Sequence, residues 1–304
     1  MSNNPRSTSI FLLCILALIW GTSFILIKQG LKVFAADEVG SLRVASASLF
    51  LLPIAIVKLR ELKVGDYWKL FTSGMLGIFI PAFLFATAQT QMDSSVAGIL
   101  NTLTPLFTMI IGAVIFKQKF GRYAIAGIIL GFAGTVMLIL LRSGNSVIGF
   151  NAFALLIVLA CLFYGSNLNF VKFKIPDLRA LTITSVSLML IGPLAFIYLF
   201  GFTDFTQKMA TQEGAWKAFG FITLLGLMST AVATIIFNKL VKISTPMFVS
   251  SVTYLLPIVG VMWGVLDGEQ LQAGHLIGMV AIIAGVYLAN RKKLKVEESI
   301  SNAS

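Results

Sequence analysis

Two short polar and aromatic segments interrupt long apolar runs in this 304-residue sequence: Trp20, Gly21, Thr22, Ser23 and Tyr164, Gly165, Ser166, Asn167. Facing lipid, such side chains would cost stability without compensation, so they argue for an internal cavity that holds a solute. Two more polar groups stand beside prolines: Asn101, Thr102 and Thr104 beside Pro105, and Thr253 and Tyr254 beside Pro257. Proline removes a helical hydrogen bond and bends the helix, which is expected to expose the carbonyls of Asn101 and Thr253 to a ligand. The candidate solute-binding residues are Trp20, Thr22, Arg43, Asn101, Tyr164, Asn167, Thr253 and Tyr254, with Pro105 and Pro257 as helix-bending positions. Trp20, Tyr164, Asn101 and Tyr254 rank first, because rings can sandwich an apolar or planar solute while the amide orients its polar end. Ser and Thr have an alternative use in bonding back to their own helix, as has glycine in permitting close helix packing.

Arg43 is the basic residue set well inside a predicted span, about one helical turn from its end. Two roles are open to it: pairing with Asp37 or Glu38 at the interface, or meeting a carboxylate on a substrate. Catalysis finds little support. No HExxH zinc motif, Walker A sequence or mid-depth aspartate pair is present, and the sole histidine, His275, is placed at the end of a span. No metal and no cofactor is expected, and Cys14 and Cys161 read as small apolar packing residues. With Asp93, Asp267 and Glu269 confined to span ends, proton coupling through a buried carboxylate is unsupported.

The elements that must carry these residues follow from composition. With 58% hydrophobic and 12% charged residues, too few polar side chains exist to coat a soluble protein of this length. Apolar runs of spanning length recur at 10–29, 39–57, 68–90, 94–116, 122–141, 150–171, 180–200, 217–241, 245–266 and 273–290. The first is too long for a cleaved leader and lacks a small-residue cleavage site. The net charge of +11 falls in short clusters between runs, which fits membrane topology and not a nucleic-acid partner. Alternate loops differ sharply: Arg6, Lys58, Arg60, Lys63, Lys69, Lys117, Lys119, Arg122, Lys172, Lys174, Arg179, Lys239, Lys242, Arg291, Lys292, Lys293 and Lys295 lie on one side, and only Lys28, Lys32, Arg142, Lys208 and Lys217 on the other. Positive side chains stay inside, so both termini are expected in the cytoplasm.

An internal repeat organises the runs. Trp20 to Lys28 matches Tyr164 to Lys172 at an offset of 144; Gly74, Phe85, Leu103, Pro105 and Gly112 match Gly226, Phe237, Leu255, Pro257 and Gly264 at 152; Gly127, Ala133 and Gly134 match Gly278, Ala284 and Gly285 at 151. Five helices per half is an odd number, so the second half enters the membrane from the opposite side. The expected fold is an all-α integral membrane protein with ten transmembrane helices in two inverted five-helix repeats. Its parts are a cytoplasmic segment 1–9, repeats at 10–141 and 150–290, and a cytoplasmic tail 291–304.

The WGTSF-like first helix, Arg43 within SLRVASA, and the proline-bearing helix followed by GEQL and GMVAIIAGVYL resemble the drug/metabolite transporter superfamily, EamA type. The resemblance runs from about Ile10 to Arg291, with one departure: Gln118 stands where the second half has Glu269. It implies a small-molecule permease of the inner (plasma) membrane, often an exporter of amino acids or related metabolites. The expected mechanism is alternating access around a midplane cavity between helices 1, 4, 6 and 9. The partners expected are a small-molecule substrate and the lipid bilayer. A non-transporting membrane subunit or an intramembrane enzyme are the competing readings.

Overall fold

A computed structural model describes residues 5–91, 97–98, 100–142, 152–266 and 273–289. Asp93, Asp267, Glu269 and the tail 291–304 lie outside the described residues, as does the side chain of His275. Every regular element among the described residues is helical. We number the long elements α1 (Pro5–Gly30), α2 (Ala36–Lys58), α3 (Val64–Ala88), α4 (Asn101–Val114), α5 (Arg122–Arg142), α6 (Ala154–Lys174), α7 (Ala180–Gly201), α8 (Ala215–Ile243), α9 (Pro246–Ser250 and Val252–Leu266) and α10 (Ala273–Ala289). Among the described residues, six helices are long and apolar enough to cross a membrane, and α4, α5, α9 and α10 contribute shorter apolar stretches. The outer surface is apolar as well: Phe11 is 64% exposed, Ile129 63% and Ile197 61%. A face of this kind is stable only against lipid.

The first helix is already formed at Pro5, within the segment 1–9. The stretch 202–214 between α7 and α8 contains a short helix, Phe205–Thr211, because Phe205 packs under Phe34, Phe200 and Phe219. Lys208 of this helix reaches Glu38 at the start of α2, at 2.6 Å.

α3 and α8 share an irregularity. Each opens into a π turn midway, Met75–Phe79 in α3 and Gly226–Val232 in α8. Each π turn adjoins a glycine crossing a helix of the other half. A Cβ on Gly74 would lie 3.1 Å from the Ser187 carbonyl in α7, and one on Gly226 would lie 2.7 Å from the Arg43 carbonyl in α2. Ser187 is Arg43 displaced by 144, and Gly226 is Gly74 displaced by 152. The same contact is thus made twice with the halves exchanged. Gly21 against Val259, and Gly165 against Phe107, form a second exchanged pair at the same offsets. Between α5 and α10 the exchange recurs at the offset of 151, with Gly127 against the Gly285 carbonyl and Gly134 against that of Gly278. Small residues let these backbones touch, which is how apolar helices associate where lipid gives no hydrophobic driving force.

One end of the bundle is tied by lysines. Lys172 of α6 donates to the carbonyls of Val241, Lys242 and Ser244 at the C-terminal end of α8, at 2.9, 3.2 and 2.7 Å. Lys242 donates in return to the carbonyl of Ile175, just past the end of α6. Each cation meets carbonyls that a helix end leaves unpaired.

Candidate functional site: a cavity between the two halves

Seven helices enclose one cavity, with an open space of about 850 Å³ including its mouth. The sequence placed it among α1, α4, α6 and α9; α2, α3 and α8 also line it, through Arg43, Phe85 and the Ser229 to Phe237 stretch. Trp20, Ser23, Phe24 and Ile27 come from α1, at the i, i+3, i+4, i+7 spacing of a single helical face. Tyr164, Asn167 and Leu168 present the corresponding face of α6.

The aromatic walls are paired across the halves. The Trp20 ring meets Phe237 with centroids 5.2 Å apart, and Tyr164 meets Phe85 at 6.0 Å. Both pairs obey the 144 and 152 offsets, so each half supplies a ring from its first helix and a phenylalanine from its third. The π turn of α8 then has a use. Such a turn breaks the regular i to i+4 ladder, and the Ser229 carbonyl accepts the Trp20 indole N–H at 3.0 Å. Ser23 donates to the Ser229 hydroxyl at 2.7 Å. At the equivalent crossing Asn167 lies against Gly77, where any Cβ would collide with its amide, and accepts from Ser73 at 2.8 Å.

The polar groups break the symmetry. Arg43 lines the cavity from α2, where the equivalent position of α7 is Ser187, which bonds to the Leu70 carbonyl. The Arg43 Nε donates to Thr230 Oγ1 at 2.6 Å. Pairing with Asp37 or Glu38 is not observed: Tyr198 donates to Asp37, while Glu38 accepts from Lys208 and from the Ala35 amide. With α2 beginning at Ala36, Arg43 is two turns inside the helix and not one. No carboxylate lines this cavity among the described residues.

Six of the eight candidate residues meet here: Trp20, Arg43, Asn101, Tyr164, Asn167 and Thr253. Two do not. Thr22 is two residues from Trp20, about 200° around the helix, and its hydroxyl bonds back to the Leu18 carbonyl at 2.8 Å. Tyr254 is one residue from Thr253, about 100° around α9. It is fully buried, stacks on Gly131 of α5 and donates to the Ile128 carbonyl at 3.2 Å. It packs the scaffold and does not face the cavity.

Pro105 also requires correction. It sits in the first turn of the α-helical part of α4, Thr104–Val114, after a tight turn at Asn101–Leu103. Proline is at ease in a first turn, where its missing N–H leaves no bond unmade. The Asn101 carbonyl accepts the Thr104 amide, so it is not freed by the proline. Pro257 does lie inside a helix, and the break in α9 falls six residues before it, at Ser251. There Ser250, Ser251 and Thr253 donate back to the carbonyls of Met247, Phe248 and Ser250.

Asn169, on the far side of α6, is wholly structural: it donates to the carbonyls of Thr108 and Gly165 at 3.0 and 2.9 Å and accepts from Gln118 at 2.7 Å. Sequence reasoning missed Thr230 and Ser229. Their signal was available in the 152 offset, which placed Gly226 and Phe237 on either side of them.

A cavity bounded by equivalent helices of two halves, with one cation inside, is an arrangement for holding a solute between bundles. Comparison with known proteins decides the family. The sequence profile of the EamA-like transporter family matches residues 7–140 and 151–291, one match on each half. The chain belongs to the EamA-like transporter family. It is 30% identical over 295 residues to the probable amino-acid metabolite efflux pump of Salmonella typhimurium, covering 91% of this chain and 93% of that one. It is 24% identical over 277 residues to an uncharacterized transporter of Archaeoglobus fulgidus, covering 90% and 95%. An uncharacterized inner membrane transporter of Escherichia coli is 24% identical over 289 residues, covering 91% and 89%. A solved crystal structure superposes with a TM-score of 0.73 over 96% of this chain and 99% of its own, at 16% identity, which is a likeness of fold. This EamA-family chain is a multi-pass membrane transporter with a general permease role.

Proposed function

We propose that this EamA-family protein moves small carboxylate-bearing metabolites across the inner membrane by alternating access around the Arg43 cavity. The observation that carries the reading is the guanidinium itself: held by Thr230 at 2.6 Å, it faces the cavity with no acid to neutralise it among the described residues. A cation kept at this depth without an anionic partner is costly, and a carboxylate ligand would supply the missing charge through a bidentate pair. The paired rings of Trp20, Phe237, Tyr164 and Phe85 would receive the apolar body of that ligand. Export of amino-acid metabolites is the direction suggested by the Salmonella relative's name. The inner membrane location follows the naming of the Escherichia coli relative.

In this reading ten crossings form two inverted halves, about 10–141 and 150–290, with both termini in the cytoplasm. Rocking of one half on the other would expose the cavity to each face in turn. The glycine contacts between α1 and α9 and between α6 and α4 are equivalent surfaces over which such rocking would occur. Purified protein in liposomes loaded with an aromatic carboxylate should release it and exchange it for external label. Arg43→Gln should abolish that exchange while Tyr254→Phe retains it. Exchange that persists in Arg43→Gln refutes the carboxylate reading, and exchange that requires an added partner favours a subunit role.

A further inference from the structure

The cavity's hydrogen-bonding groups are unequally committed, and the imbalance bears on which carboxylates fit. Three of its acceptors are engaged. The Ser229 carbonyl takes the Trp20 indole, the Asn101 amide oxygen takes Thr104 at 3.2 Å and the Cys161 thiol at 3.8 Å, and the Asn167 amide oxygen takes Ser73. Donors are open. The terminal guanidinium nitrogens of Arg43 and the amide nitrogens of Asn101 and Asn167 have no partner among the described residues.

We infer that the site selects carboxylates whose amino group is absent or acylated, and that it discriminates against free zwitterionic amino acids. This deepens the carboxylate reading above and rests on it. A carboxylate on Arg43 would leave an α-ammonium a few ångströms from the same guanidinium, inside an enclosure that screens like charges poorly. That ammonium would also lose its water with no carboxylate to receive it, since none lines the cavity among the described residues. Acylation removes the charge and replaces it with an amide carbonyl. The new oxygen is an acceptor for the idle amide donors of Asn101 or Asn167. The ligand class is therefore an aromatic or branched apolar acid, bare or N-acylated, and not a free amino acid.

The test uses the purified full chain in detergent and four probes of one skeleton: phenylalanine, N-acetylphenylalanine, 3-phenylpropionate and phenethylamine. Ligand-induced thermal shift gives an apparent affinity for each. N-acetylphenylalanine and 3-phenylpropionate should bind about tenfold or more tightly than phenylalanine, with phenethylamine inert. The variant Asn101→Asp, which puts an acid into the cavity, should narrow or reverse the preference toward phenylalanine. Phenylalanine binding as tightly as its acetylated form to the wild-type chain overturns the inference while leaving the carboxylate site standing. Absence of binding by both carboxylate anions overturns the inference and the carboxylate site together. The wild-type series alone separates these outcomes, so misfolding of the variant would not weaken the test.

Discussion

Close contact between the two halves can be tested by moving a single methyl group. On Gly21 of α1, a Cβ would fall 2.6 Å from Val259 Cγ1 and 2.7 Å from its Cβ; on Gly165 of α6, it would fall 2.8 Å from the Thr108 amide nitrogen and 3.0 Å from the Phe107 carbonyl carbon. These positions are equivalent in the repeat, yet one obstacle is a side chain and the other is backbone. Overpacking of this kind costs about 1–3 kcal/mol. Gly21→Ala and Gly165→Ala should each lower the apparent melting temperature in detergent by roughly 2–8 °C. Adding Val259→Gly to Gly21→Ala transfers the close-approach glycine to the other helix and should restore most of the loss. Adding Phe107→Gly to Gly165→Ala should restore little, because the backbone of α4 remains in place. Intrinsic fluorescence during heating reads all five proteins. A Gly165→Ala protein as stable as wild type, or a Gly21→Ala defect untouched by Val259→Gly, would refute the packing described for both crossings.

Other expectations separate the cavity from its scaffold. Trp20→Phe removes the bond to the Ser229 carbonyl and should impair exchange in liposomes, whereas Tyr254→Phe should cost about 0.5–1.5 kcal/mol of stability and leave substrate affinity intact. Lys208→Met strands the carboxylate of Glu38, which is 1% exposed, and should destabilise the chain by more than the double variant with Glu38→Gln does. That comparison is a double-mutant cycle read by thermal unfolding. Reporter fusions at either terminus should be active only in the cytoplasm, and an external protease should spare both ends.

Several features of the site were legible in order. The offsets of 144 and 152 identify Trp20 with Tyr164 and Phe85 with Phe237, and these four form the two ring pairs of the cavity. Position along an apolar run was legible too, because polar residues inside such runs are rare enough to draw attention. Facing was not. Thr22 and Tyr254 share the depth of Trp20 and Thr253 but stand on other sides of their helices, and a nearly all-apolar helix carries little periodicity to reveal which side faces a cavity. Arg43 likewise had two candidate partners near it in sequence, and its actual partner, Thr230, is 187 residues away.

The sequence by itself determined the class of the protein, the duplication and the charge bias of its loops, since each depends on residue content along a line. The tertiary structure alone decided which residues meet. It turned Lys172 and Lys242, legible only as topology signals, into reciprocal caps of α8 and α6. It also made the Ser229 carbonyl a hydrogen-bond acceptor by opening a π turn where Gly226 crosses α2. The reason is physical: in lipid all outward faces are alike in polarity, so helix rotation is set by close backbone approach and by bonds between distant segments. Neither is written in any local stretch of residues.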